Sequence, residues 1–388
     1  MSETKKRLPE LDIAKMIAIS LIIIQHTGKL PDRGLFFVTL MALPTFWILS
    51  GAMMGKSRDE QLTWNSFYHK KARTLLIPYV FFSILIEVAY WIFAYFTGAR
   101  VDDPVLFADQ ITRTVTLMGM STLWFLSTLF LMELLFYGYL QIDQKILYIQ
   151  AKPLIRILVM VLFPVLGFTL MSYFQTLDIY AKGVFVDALR IHRIVYFWMI
   201  LLCRVLVLMP FLFVGYFCRD IWELVKTSKR IMVIATVVSF LLTWILSGIN
   251  KSAEMSMVVL WGSSHVLYYI SACLGALGVL GLSTLIGMLG ATKGFGKKLV
   301  DVLCYFGKNS LIIMATHLDL YVLFLVSYPV LVVLNRIPTI TDGGRNALAA
   351  IGMLVGTLVV EIPIIAIINR YFSEIFTGKK HEGVKRGI

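Results

Sequence analysis

Residues 194–217 read Ile-Val-Tyr-Phe-Trp-Met-Ile-Leu-Leu-Cys-Arg-Val-Leu-Val-Leu-Met-Pro-Phe-Leu-Phe-Val-Gly-Tyr-Phe, an apolar run broken by one charge, Arg204. Wound as a helix at 1.5 Å per residue, this run is about 36 Å long, enough to cross the roughly 30 Å hydrocarbon core of a bilayer. Similar stretches recur at about 11–28, 35–55, 75–97, 114–140, 154–175, 231–249, 263–290, 309–334 and 346–369. The expectation is therefore an all-α polytopic membrane bundle of about ten transmembrane helices, forming a single domain over residues 1–388. A short N-terminus (1–10) and a basic tail (370–388) flank it.

Composition agrees. Hydrophobic residues make up 59% of the 388-residue chain and charged residues only 15%, with a mean hydropathy of +0.81; soluble domains run near a quarter charged. Disorder, fibrous repeats and a second aqueous domain are excluded on the same ground. The net charge of +13 reports topology and not a nucleic-acid partner. The N-terminus, alternate loops and the tail hold Lys5, Lys6 and Arg7; Lys56, Arg58, Lys70, Lys71 and Arg73; Lys145, Lys152 and Arg156; and further clusters near residues 219–230, 293–308 and 370–386. The opposite loops, with Lys29, Arg33, Arg100, Arg113, Lys182, Arg190, Arg193, Lys251, Arg336 and Arg345, hold fewer than half as many. The positive-inside rule then places both termini in the cytoplasm, and the protein in a cell (inner or plasma) membrane as a multi-pass chain.

Lys5, Lys6 and Arg7 before an apolar run resemble a signal peptide, but Asp12 and Lys15 interrupt the run and no small-residue cleavage site follows. An uncleaved first span is expected. Its continuous apolar core is only Met16 to Ile24, so neighbouring helices must shield it from lipid. Cys203, Cys218, Cys273 and Cys304 show neither metal-ligand spacing nor loop pairing and read as packing residues; no metal site is expected. The outer loops at 98–113 and 176–193 are solvated connectors or lips over an acceptor site. No inverted repeat of the kind common in secondary transporters is visible.

Titratable groups inside spans are costly and therefore functional candidates: Lys15, His26, Glu87, Glu133, Arg204, His265, His317, Asp319 and Glu361. Lys15 and His26 are eleven residues apart, within about 20° of three full turns and about 16.5 Å along the axis. One helix face thus carries a cation near the cytosol and an imidazole deeper in. Snorkelling of Lys15 and end-capping by His26 are the purely structural alternatives. His265 reads as structural, and a buried pair between Arg204 and one of the glutamates is open.

Further strings accompany this face: Phe46-Trp-Ile-Leu-Ser-Gly51, Lys70-Lys-Ala-Arg-Thr-Leu-Leu-Ile-Pro78, Trp124-Phe-Leu126, and Gly307-Lys-Asn-Ser310 with His317 about two turns on. Taken in order, they resemble the acyltransferase-3 family of integral membrane O-acyltransferases. The matching elements are Leu11-Asp12, Lys15-x10-His26, Ser50-Gly51, Arg73 with Pro78, Trp124 to Leu126, and Gly307, Ser310 and His317. Each motif alone is weak; their common order along the whole chain is specific. Lys15 stands where Arg is commoner, and Lys lacks Arg's bidentate fork; Trp47 replaces a usual Phe. The likeness is to the stand-alone form, without the hydrolase-like domain some relatives carry.

The resemblance implies O-acyl transfer, usually acetyl, from cytoplasmic acyl-CoA (acetyl-CoA) to a hydroxyl of a surface glycan or its lipid-linked saccharide precursor. A CoA donor brings phosphates, for which Lys15, Lys70, Lys71 and Arg73 are candidate contacts. The attacking hydroxyl must lose a proton, and imidazole is the side chain suited to take it near neutrality. His26 is the candidate general base and His317 the second catalytic candidate. Ser50, Trp124 and Ser310 are candidate substrate contacts, with helix packing and an interfacial Trp as structural alternatives. Direct attack and an acyl-histidine intermediate both remain open. A transporter or flippase for an anionic or glycolipid solute, and an inactive scaffold relative, are the competing classes.

Overall fold

The computed structural model describes residues 8–98, 104–145, 152–226, 228–250, 255–256, 259–260, 262–290, 294–337 and 341–372. The basic residues Lys5, Lys6, Arg7, Arg100, Lys251 and Lys293, and the tail beyond residue 372, lie outside them. In chain order the helices are α1 Pro9–His26, α2 Asp32–Ser57, α3 Trp64–Lys71, α4 Ile77–Thr97, α5 Pro104–Val115 and α6 Trp124–Lys145. Next come α7 Lys152–Phe174, α8 Asp178–Gly183, α9 Arg190–Phe217, α10 Arg219–Lys226 and α11 Lys229–Asn250. After a two-residue antiparallel ladder (Met255–Ser256 with Val259–Leu260) follow α12 His265–Leu289, α13 Phe295–Lys308, α14 Ser310–Thr316, α15 Val322–Asn335 and α16 Asp342–Tyr371. The chain is a polytopic helical membrane protein. Among the described residues, eight helical segments are long and apolar enough to cross a bilayer: α2, Trp64–Thr97, Ser121–Lys145, α7, α9, α11, α12 and α16.

Of the expected ten spans, eight appear among these segments, one of them with a later start, and the first and ninth do not. The first, α1, is helical but carries Glu10, Asp12 and Lys15. The expected span 114–140 begins only at Ser121, a short turn leading into α6, because residues 104–115 form the separate helix α5, and Leu117 and Gly119 turn with φ of +60° and +81°. The expected ninth span, 309–334, is broken. The α13–α14 pair bends by 58°, α14 stops at Thr316, and α15 starts after Tyr321 in the left-handed region (φ +58°). Hydropathy registers apolar content and not helix continuity, so a break between two apolar pieces is invisible to it. A further irregularity is the π-helical turn Ala72–Leu76 joining α3 to α4. Pro78 lacks an N–H and its ring crowds the carbonyl four residues back, that of Thr74, so the backbone widens there.

Contacts divide the chain into two compact units, Met1–Met53 with Val214–Glu361, and Met54–Phe213 with Ile362–Ile388. In the first, α1 packs against α12, α13 and α14, and α11 packs along α12. Ile13, Ala14, Ala18, Ile19 and Ile23 of α1 are fully buried, which is the shielding that a short, polar-studded helix requires. One contact sets how near α13 comes: a Cβ on Gly307 would lie 1.8 Å from the Asp12 carbonyl oxygen. Glycine there lets two backbones touch, so the Leu11-Asp12 and Gly307 strings meet in space.

The second unit is held by buried ion pairs. Asp59, 1% exposed, binds the ammonium of Lys70 and lies 3.2 Å from Lys71 Nζ, which also lies 3.2 Å from Glu133. The segment before α9 is tied by Arg193. Its Nε donates to Asp109 (2.6 Å) and its Nη1 to the carbonyls of Gly183 and Val184 (2.8 Å each). Arg113 Nε donates to the other Asp109 oxygen at 2.7 Å. The expected loops at 98–113 and 176–193 therefore contain helices α5 and α8, and they border a cavity of about 250 Å³ lined by Asp109, Thr112, Asp187, Arg190 and Arg193.

Two outcomes follow for stability. Gly307→Ala forces α13 off α1; overpacking of this kind costs about 1–3 kcal/mol, and thermal unfolding in detergent should drop by several degrees. For Asp109, burial alone would raise the carboxyl, but Arg193 and Arg113 outweigh it and hold it below the usual carboxylate range. A depressed folded-state value means that its stabilisation is present above the unfolded value of about 3.9 and disappears as pH falls below it. Asp109→Asn should therefore destabilise at neutral pH, by about 3–5 kcal/mol for a broken buried pair, and flatten the acid limb of an unfolding-versus-pH series.

Candidate active site

Two histidines 291 residues apart meet in the first unit. His26 is the last residue of α1, where the Thr27 hydroxyl donates to the Ile24 carbonyl at 2.7 Å and Gly28 turns the chain away with φ +63°. His317 stands at the break after α14, and the turn closes where the Leu323 N–H donates to the His317 carbonyl at 2.8 Å. His26 Nδ1 and His317 Nε2 are 2.9 Å apart, with the rings stacked at 14°.

The pair's proton arrangement follows from one further contact. His317 Nδ1 lies 2.8 Å from the Ile313 carbonyl oxygen. A carbonyl only accepts, so Nδ1 carries the hydrogen, and in the neutral ring Nε2 then holds the lone pair. His26 must therefore donate from Nδ1, which leaves its own basic lone pair on Nε2. That atom makes no hydrogen bond among the described residues. His317 is fully buried and His26 half-buried, so the buried ring orients and the outer ring is placed to take a proton. This is the logic by which a buried acceptor fixes the tautomer of a catalytic histidine.

Next to His317, the Thr316 hydroxyl oxygen is 2.7 Å from the Ile312 carbonyl and 2.8 and 2.9 Å from the two carboxyl oxygens of Glu361 on α16. Thr316 and Glu361 are both 0% exposed. Ser310 is buried at the start of α14. Lys15 is half-buried on α1 and Ser50 half-buried on α2. Motif spacing located His26 and His317 individually; neither their contact nor the Thr316–Glu361 bond has a sequence signal beyond the presence of a carboxylate in an apolar helix.

Lys70, Lys71, Arg73, Glu87, Trp124, Glu133 and Arg204 lie in the second unit. Lys70 and Lys71 are engaged by Asp59, and Lys71 by Glu133 as well. Arg73, in the π-turn, is exposed and forms no ion pair among the described residues. Trp124 is 8% exposed, and the guanidinium of the fully buried Arg204 sits 4.9 Å from its ring centroid. Arg204 also lies 3.5 Å from the Met118 carbonyl and from the Thr128 hydroxyl. Glu87 accepts from Trp91 Nε1 at 3.3 Å. His265 is exposed at the start of α12 in the first unit. All four cysteines are unbridged, and among the described residues no group of His, Cys, Asp and Glu is placed to hold a metal.

The acyltransferase-3 family model, described as an acyltransferase domain, matches residues 8–366, which include every motif residue named above. No curated protein and no solved structure matches the chain significantly.

The proton arrangement is directly observable. In ¹⁵N-histidine-labelled protein near neutral pH, His26 and His317 should both resonate as Nδ1–H tautomers with unprotonated Nε2. An Nε2–H on His317 contradicts the assignment.

Proposed function

Because the chain belongs to the acyltransferase-3 family, we propose that this multi-pass membrane acyltransferase is an O-acyltransferase. It moves an acyl group, acetyl in the first instance, from cytoplasmic acyl-CoA to a hydroxyl of a cell-surface glycan or its lipid-linked precursor. The observation that carries this reading is the 2.9 Å contact between His26 Nδ1 and His317 Nε2, together with the 2.8 Å contact of His317 Nδ1 to the Ile313 carbonyl. These leave one basic nitrogen, His26 Nε2, on the outer ring.

In the proposed reaction the acceptor oxygen attacks the thioester carbonyl while its proton passes to His26 Nε2. The new C–O bond forms, the C–S bond breaks, and the imidazolium returns the proton to the departing CoA sulfur, so protons and electrons balance over the cycle. Positioned general-base catalysis of this kind contributes about 10²–10⁴-fold. His317 acts by accepting from His26 Nδ1–H, which raises the basicity of the far nitrogen and stabilises the imidazolium. An acyl-histidine route would place the acyl group on the same Nε2; labelled acyl trapped on the protein without acceptor distinguishes it from direct attack.

Lys15, about three helical turns or roughly 16 Å from His26 along α1, suits the phosphate end of an extended donor. The basic run Lys70, Lys71 and Arg73 is proposed as a further set of phosphate contacts. Within it Arg73 bears most of the role, because Asp59 and Glu133 already balance the two lysines. Ser50, Ser310 and Trp124 are proposed as acceptor contacts.

The decisive experiment compares acylation of surface glycan, read by mass spectrometry, in a deletion strain complemented with wild type or variants. His26→Ala should reduce acylation at least about 10²-fold at unchanged membrane abundance. Lys15→Ala should raise the KM for acetyl-CoA with little change in kcat. Full activity of His26→Ala ends the general-base assignment. Absence of acyl-CoA binding together with solute flux in proteoliposomes replaces the enzyme reading with a transporter.

A further inference from the structure

Glu361 is a carboxyl group in the interior of the apolar 30-residue helix α16, with 0% exposure. Among the described residues its only polar partner is the Thr316 hydroxyl, and no Lys, Arg or His pairs with it. An ionised carboxylate so placed is costly, because nothing nearby compensates its lost hydration. The donor count adds a second, independent argument. Thr316 Oγ1 faces three oxygens within 2.9 Å, the Ile312 carbonyl and both carboxyl oxygens, but has one hydrogen to give. With Glu361 ionised, all three neighbours are acceptors and one hydrogen serves three close contacts. With a proton on Glu361, one carboxyl oxygen donates to Thr316 and Thr316 donates to Ile312, so two of the three short contacts hold a hydrogen where the ionised form supplies only one.

We propose that Glu361 is a neutral carboxylic acid that acts as a positioning residue for the catalytic pair, tying the end of α14 through Thr316 so that His317 holds the tautomer His26 requires. The proposal rests on the acyl-transfer reading above. Thr316 directly precedes His317, and the two carbonyls engaged, Ile312 and Ile313, are also consecutive. The final turn of α14 therefore carries two parallel side-chain locks, the hydroxyl of Thr316 and the ring of His317. α14 has only seven residues and ends at a break, so little of its own helix holds that turn. The Glu361 bond supplies an anchor from another helix. The titratable side chain nearest in the chain to this bond is His317, and through it His26; Asp319, two residues further, is half-buried in the turn.

The test uses full-length protein in membranes, with acetyl-CoA as donor, glycan extract of the parent cell as acceptor, and release of CoA thiol as the readout. Glu361→Gln keeps a neutral donor and should retain kcat within about threefold, with a pH–rate profile superimposable on wild type. Glu361→Leu removes the donor and should lower kcat about 10–100-fold, as misplacement of a catalytic group by an ångström can, while the KM for acetyl-CoA stays within about twofold. Thr316→Val, nearly isosteric, should reproduce the kcat loss and serves should the Leu variant fail to accumulate. Independently of activity, infrared difference spectra of wild type against Glu361→Gln should contain a protonated-carboxyl C=O band. A Gln variant as impaired as Leu, a shifted pH profile, or a carboxylate band instead would show that Glu361 acts through charge and overturn the proposal. Full activity of both Leu and Val variants would remove its positioning role. If wild type itself releases no thiol, the acyl-transfer reading fails, and the infrared band still decides the proton.

Discussion

A single main-chain carbonyl, that of Ile313, sets the proton arrangement of the histidine pair on which the proposed site is built. It accepts from His317 Nδ1, and in doing so decides which nitrogen of each histidine carries a hydrogen. Without that acceptor the two rings could exchange roles, and no nitrogen would be consistently basic. With it, the buried ring becomes a fixed acceptor, and the half-buried ring keeps its lone pair on Nε2. The carbonyl is offered to the ring by the last turn of a short helix that ends where an unbroken span would have continued.

Placing such a pair in a membrane protein imposes a second requirement, because α1 carries polar groups that lipid would reject. The first unit meets it by packing: α12, α13 and α14 lie against α1, and Gly307 allows α13 to approach until its backbone meets that of Asp12. Stability and site geometry are coupled here. The glycine that lets the helices touch and the histidine that completes the pair belong to the same eleven-residue stretch, so a shift of α13 is transmitted to α14 through the bend at Asn309.

The second unit uses charge differently. Asp59 binds Lys70 and Lys71, and Glu133 binds Lys71 as well, so two of the cations that the sequence presents as ligand contacts already have carboxylate partners in the fold. Arg73 stands apart because it is exposed and forms no ion pair among the described residues. A basic run counts positive charges equally; burial and partners divide them into structural ions and available ones. The same division applies to Trp124, whose ring is buried beside Arg204, although the sequence offers it as a substrate contact or an interfacial Trp.

Local properties of the chain were legible from residue order alone. Apolar content and charge asymmetry identified a polytopic helical membrane protein, helical periodicity put Lys15 and His26 on one face, and the order of short motifs pointed to the acyltransferase-3 family. What required tertiary structure was every relation between distant segments: the meeting of His26 with His317, the direction of the proton between them, the Thr316–Glu361 bond, and the split of one apolar stretch into α14 and α15. The reason is physical. Hydropathy and period depend on neighbours a few residues away, which the covalent chain specifies directly. A hydrogen bond across 291 residues depends on how helices pack, and that is settled by the summed contacts of the whole bundle.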